Sequence, residues 1–313
     1  MNNSSDHGSS PPPQSYLPEI TLVAVALIWG LNMPLMKLGL ERLDNVYIFN
    51  ALRLPLSAAV LAFFALRERA AGNVPKPGVT IKQLLVYAVM VAVVYQLSFL
   101  LGLNYTTPGN SALIMATVPM WTALLAWLFL GERIGKLAWL GLFIALTGTI
   151  TVSLQKGVSF QQEHFVGNLI ILLAALMWSG GTVYSRPLLN KISPMQLAAF
   201  ATVVGLPFHL AVAGAHYDGK LSGLDSPLFW AVLIFSGSLS SGLTQPMWHF
   251  GVKQAGPSHA AIVQNLIPVF ALLTVWVISG DAPTKPQIIG GTMILGGLII
   301  MRISKRMQDR QLP

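Results

Sequence analysis

In a chain of 313 residues with no cysteine and 54% hydrophobic residues, side chains able to do chemistry are few, and they recur at fixed spacings. Trp29 and Asn32 stand three apart. Gln96 and Phe99 do the same, with Tyr95 beside them, and Gln245, Trp248 and His249 fall within four positions. In a helix each of these sets shares one face. An aromatic ring next to an amide is recognition chemistry: the ring stacks on an apolar or cationic group, and the amide hydrogen-bonds a polar one. The sequence has no HExxH, no GxSxG, no thiol and no paired acids inside an apolar run, so no enzyme mechanism is supported. With no cysteine there is also no disulfide and no thiolate metal site, and the sequence implies no cofactor.

The elements that hold these sets follow from composition. Only 10% of residues are charged, and the mean hydropathy of +0.63 is far above that of a soluble domain. A helix spans the hydrocarbon core with about 20 apolar residues. Ten runs qualify, over 17–38, 46–66, 81–102, 107–130, 136–154, 167–186, 194–214, 227–250, 257–279 and 286–302. The fold class is therefore an all-α integral membrane protein in the lipid bilayer. The first sixteen residues, rich in Ser, Pro and Asn and without a basic region, read as a disordered N-terminal tail and not a signal peptide. The net charge of +8 lies in loops flanking the spans, which points to topology and not to a nucleic-acid partner. With both termini in the cytoplasm, thirteen Lys and Arg fall on the inside and five on the outside, and residues 303–313 form a basic cytoplasmic tail.

Sliding the chain against itself by 149 residues aligns Trp29 with Trp178, Gln96 with Gln245, Gly102 with Gly251, Pro108 with Pro257 and Pro119 with Pro268. The match continues through Trp127 and Trp276, Gly131 and Gly280, Gly141 and Gly290, and Gly148 and Gly297. The chain is a duplicated five-helix unit, residues 17–154 and 167–302. Because five is odd, the second copy enters the membrane inverted. Inverted repeats are the architecture of secondary transporters, in which the two halves exchange conformations around one central site. Thr107 before Pro108 reads as a helix N-cap, and Pro119 and Pro268 break their helices about three turns on.

The stretch "GLNYTTPGNSALIMATVPMWTALLAWLFLGERI", with "ALIWGLNMPLMK" in the first span and "NALRLPLSAAVLAF" in the second, resembles the EamA-type ten-helix branch of the drug/metabolite transporter superfamily. The resemblance covers about residues 20–302. It implies a central cavity walled by spans 1, 3, 4, 6, 8 and 9. Those spans carry nearly all the in-membrane polar groups: Trp29 and Asn32; Tyr95, Gln96 and Phe99; Asn110; Trp178, Thr182 and Tyr184; Gln245, Trp248 and His249; His259, Gln264 and Asn265. They are the candidate substrate-binding residues. For Trp29, Trp178 and Trp248 packing is the competing role, and for Gln96 and Gln245 it is interhelical hydrogen bonding. Trp127, Trp139, Trp230 and Trp276 read as interfacial belt residues.

Arg53 sits deep in the second span and requires an acceptor, either a substrate carboxylate or structural partners among loop acids and carbonyls. With Pro119, Pro268 and Glu132 it forms the structural or gating set. No Asp or Glu lies mid-span, leaving His249 and His259 as the groups that titrate near physiological pH within the membrane. The expected function is secondary transport by alternating access. The expected direction is export of small organic metabolites such as amino acids or related zwitterionic or aromatic compounds across a bacterial cytoplasmic (inner) membrane. Organic cations, drugs or nucleobase-like solutes form the alternative. A monomer is compatible with this organisation.

Overall fold

The computed structural model describes residues 16–309 except 44, 155–157, 160, 218, 220–223 and 281. Most of the expected N-terminal tail, the end of the C-terminal tail and Asp281 lie outside the described residues. Among the described residues, ten helices are long and apolar enough to cross a membrane: α1 (Leu17–Glu41), α2 (Val46–Ala70), α3 (Ile81–Leu103), α4 (Pro108–Leu130), α5 (Lys136–Ser153), α6 (Gln162–Leu188), α7 (Pro194–Ala215), α8 (Pro227–Ala255), α9 (Pro257–Ser279) and α10 (Lys285–Ser304). The chain is a multi-pass membrane protein. The helices start within a few residues of the runs read from hydropathy, because their start signals are written locally. Thr107, Ser193 and Ser226 each precede a proline and accept a hydrogen bond from the amide three residues on, at 3.0, 3.0 and 3.4 Å. Proline at the first helical position loses an N–H that had no partner there. At the other end of α4 and α9, Gly131 and Gly280 adopt φ of 67° and 73°, a left-handed cap that favours glycine.

Packing obeys the 149-residue shift. The third helix of each repeat lies against the first of the other: Leu22 of α1 fills the space beside Gly251 of α8, and its counterpart Ile171 of α6 fills the space beside Gly102 of α3. In the same way α1 packs on α9 and α6 on α4, while α2 meets α7 and α5 meets α10 on opposite flanks. A pseudo-twofold axis relates the halves, running through the α2–α7 and α5–α10 contacts. The repeats are inverted, as α5 and α10 show directly. A Cβ on Gly141 would stand 2.6 Å from the Gly297 carbonyl oxygen, and one on Gly148 would stand 2.5 Å from that of Gly290, so the two helices run antiparallel. Small residues let backbones approach this closely, which is what holds helices together where lipid is as apolar as leucine.

Four spans are irregular. α4 breaks between Pro108–Ala116 and Val118–Leu130, and α9 between Pro257–Val263 and Leu266–Ser279. Each break precedes Pro119 or Pro268, which can neither donate to the ladder nor tolerate a regular turn before it. α3 and α8 contain π-helical segments, Val89–Val94 and Phe235–Leu243. Under the repeat shift the first falls inside the second. Sequence reading did not anticipate these segments. A π turn shifts the register by one residue, and a uniformly apolar stretch does not record that shift.

Candidate functional site

At the middle of the bundle, three indoles from three helices meet. Trp29 and Trp178 occupy equivalent positions in the two repeats and meet edge to face, with ring centroids 5.8 Å apart and planes at 69°. Trp248 lies 5.7 Å from Trp29 and 5.8 Å from Trp178. Tyr95 packs on Trp178 at 4.9 Å, and Phe99, the repeat counterpart of Trp248, continues the surface at 6.4 Å from Tyr95. The polar edges are tied down. Trp178 Nε1 donates to Gln264 Oε1 at 3.4 Å, beside the α9 break. Trp29 Nε1 donates to the Ser240 carbonyl and to Thr244 Oγ1, both at 3.0 Å. Ser240 belongs to the π segment of α8, so the irregular backbone helps orient the indole.

Next to this aromatic group lies Arg53, at the end of the bundle that carries the α1–α2 and α3–α4 loops. The acid or carbonyl partner expected for it is not found among the described residues. Arg53 Nε donates to Asn50 Oδ1 at 2.9 Å, and Nη1 donates to Ser236 Oγ at 3.2 Å and to Met36 Sδ at 3.4 Å. All three acceptors are neutral. Asn50 Nδ2 donates to His209 Nδ1 at 2.9 Å, and His209 Nε2 in turn donates to the Ala92 carbonyl at 2.8 Å, inside the π segment of α3. Through Ser236 and Ala92, the guanidinium is linked to both π segments. Asn50, His209 and Ser236 were missed in the sequence. The spacing of three between Asn50 and Arg53 was the available signal, and His209 is a third histidine within the spans beside His249 and His259.

The remaining candidates divide between this centre and other places. Asn32 Nδ2 donates to the same Met36 sulfur at 3.2 Å. Its Oδ1, like Gln96 Oε1, is buried without a hydrogen-bond partner among the described residues. Gln245 and Tyr184 are half-buried, and Thr182 is buried one turn from Trp178. His249 points elsewhere: its Nε2 faces Tyr87 Oη at 2.5 Å and its Nδ1 the Pro194 carbonyl at 3.2 Å, a tie among α3, α8 and α7. Asn265 Oδ1 accepts from Thr149 Oγ1 of α5 at 3.2 Å. Asn110 lies at the start of α4, where its amide bonds the Ser159 backbone at 2.7 and 3.0 Å and Asn168 at 3.1 Å. His259 lies at the start of α9, 4.0 Å from Glu19, and Glu132 Oε2 accepts from Ser258 Oγ at 2.5 Å on the same helix start. These last three fasten helix ends. Trp127, Trp230 and Trp276 are 56%, 43% and 48% exposed, against 2% for Trp248, as belt and interior residues differ.

The chain matches the EamA-like transporter family twice, over residues 17–154 and again over 165–303. The chain belongs to that family. This EamA-like transporter is similar along 89% of its length to an uncharacterized transporter of Bacillus subtilis (strain 168), at 23% identity over 94% of that protein. It is 24% identical to a probable terminal-alkyne amino-acid exporter of Streptantibioticus cattleyicolor, covering 93% of this chain and 94% of that one. It is 23% identical to a probable amino-acid metabolite efflux pump of Escherichia coli (strain K12), covering 90% and 93%. A solved crystal structure superposes with a TM-score of 0.79 at 18% identity, covering 91% of this chain and 98% of that one, which shows the shared fold. The protein is a transporter and not an enzyme.

Proposed function

We propose that this transporter exports amino acids, or related zwitterionic or aromatic metabolites, by alternating access. The observation that carries the reading is the Trp29–Trp178 pair, one residue written twice and brought into edge-to-face contact at the pseudo-twofold axis, with Trp248 and Tyr95 completing an aromatic wall. A site on that axis is reached equally from either half, which is what inverted repeats require of a shared binding position. The wall suits an apolar or aromatic side chain. Relatives whose names describe amino-acid export support the substrate class and the direction.

In this reading the protein lies in a bacterial cytoplasmic membrane with both termini inside, the orientation favoured by the thirteen-to-five distribution of Lys and Arg. The test is efflux of labelled amino acids from cells or right-side-out vesicles preloaded through dipeptides. Saturable efflux that needs the protein and is lost in Trp178→Ala is the expected result. Efflux of organic cations with no amino-acid efflux would favour the alternative cargo.

A further inference from the structure

We infer that Arg53 and Asn32 form a headgroup site for an α-amino acid, Arg53 taking the carboxylate and the Asn32 carbonyl oxygen taking the ammonium. The inference rests on the amino-acid reading above and adds to it how such a solute would be held. The structure supplies three observations.

The first is a cation whose contacts are all neutral. Arg53 bonds Asn50 Oδ1, Ser236 Oγ and the Met36 thioether, and a thioether is a weak acceptor. A guanidinium in a membrane span is costly unless it meets an acceptor of opposite charge, and its planar fork fits a carboxylate. The second is an acceptor without a donor. Asn32 is 8% exposed, and its Oδ1 has no hydrogen-bond partner among the described residues. The sulfur can only accept, so it fixes the amide nitrogen toward Met36 and leaves the oxygen free. An unmade bond at a buried oxygen is the kind of deficit a ligand N–H repairs. The third is placement. Arg53 Nη1 and Asn32 Nδ2 meet on the one Met36 sulfur, at 3.4 and 3.2 Å, so the spare cation and the spare acceptor are neighbours. An α-amino acid carries on one carbon the carboxylate and the ammonium that would answer these two deficits. Asn32 is one turn along α1 from Trp29, which puts the headgroup site beside the aromatic wall.

The test is binding to the purified full chain of three probes with one ring and different heads: L-phenylalanine, phenethylamine without the carboxylate, and hydrocinnamate without the ammonium. Intrinsic tryptophan fluorescence reports occupancy at the indole cluster. The wild type is expected to bind L-phenylalanine at least about tenfold more tightly than either partial probe, the size of one charge-assisted hydrogen bond. Arg53→Gln should bring L-phenylalanine and phenethylamine together, and Asn32→Leu should bring L-phenylalanine and hydrocinnamate together. If Arg53→Gln does not fold, the Asn32→Leu ratio decides alone, since the Asn32 side chain touches only Met36 through its hydrogen bonds. Variants that keep the wild-type ratios overturn the headgroup site while amino-acid efflux still stands. A wild type that neither binds L-phenylalanine nor exports any labelled amino acid overturns both readings.

Discussion

Trp29 and Trp178 are the same position in two copies of one five-helix unit, and their rings meet 5.8 Å apart at the middle of the bundle. Their polar edges differ: Trp29 is held by Ser240 and Thr244 of α8, Trp178 by Gln264 of α9. Trp29→Phe keeps a six-membered aromatic ring but removes the N–H together with the fused five-membered ring. Substrate affinity should fall at least about 3- to 10-fold, about 1 kcal/mol for the lost N–H donor alone. Trp127→Phe, at an exposed belt position, should leave affinity unchanged in the same efflux assay. Equal losses at the two positions would remove the aromatic cluster from recognition.

The α5–α10 contact predicts a sharp difference between neighbouring glycines. A Cβ on Gly297 would stand 2.5 Å from the Gly141 carbonyl oxygen and 2.7 Å from the Ala145 nitrogen, both backbone atoms. Gly296 and Gly291 have nothing within 4 Å of that position. Gly297→Ala should therefore destabilise by about 1–3 kcal/mol, as overpacking does. Gly296→Ala should be neutral or slightly stabilising. Thermal unfolding in detergent, followed by loss of monodisperse protein, measures both.

The chain from Arg53 through Asn50 and His209 to the Ala92 carbonyl predicts that neighbouring asparagines separate stability from function. Asn50→Leu strips partners from Arg53 Nε and His209 Nδ1 together, and should cost about 1–3 kcal/mol or more. Asn32→Leu gives up only a thioether contact and removes an oxygen that had no partner, so the melting temperature should hold. A melting temperature that falls more in Asn32→Leu than in Asn50→Leu would contradict this assignment of partners.

Orientation can be read from single introduced cysteines, because the chain has no native cysteine to remove. Val74, between α2 and α3, and Tyr105, between α3 and α4, are 58% and 57% exposed at opposite ends of the bundle. With cytoplasmic termini, Tyr105→Cys should react with a membrane-impermeant maleimide on intact cells. Val74→Cys should react only after permeabilisation. The reverse pattern would invert the topology.

Much of the fold was legible because its signals are local or periodic. Apolar runs mark the spans, Ser-Pro and Thr-Pro pairs mark helix starts, and the 149-residue shift requires each helix contact to recur at the equivalent positions, as the packing does. The indole cluster was legible for the same reason, since Trp29 and Trp178 are a repeat pair and Trp248 shares a face with Gln245. Asn110 and His259 look like interior polar groups in a span, but each lies two residues past its helix's initial proline, where polar groups fasten loops. Tyr87 was passed over, and with it the contact that draws His249 away from the indoles, because the two residues lie on different helices and no spacing within either one records their pairing. Arg53 was visible, but its partners come from α1, α2 and α8 and depend on a π segment that composition does not reveal.

The duplication is not perfect, and one of its mismatches lies at Arg53, whose counterpart under the 149-residue shift is the uncharged Thr202. Two identical halves related by an axis in the membrane plane would give end states that are mirror images in energy, so an empty carrier would rest equally on either side. Under the alternating access proposed above, a guanidinium on one side of that axis would break the degeneracy, because desolvation and the membrane potential would act on it differently in the two states. A duplicated machine would thereby acquire a handedness in time, a preferred posture in which to wait for cargo, from a side chain that only one half carries.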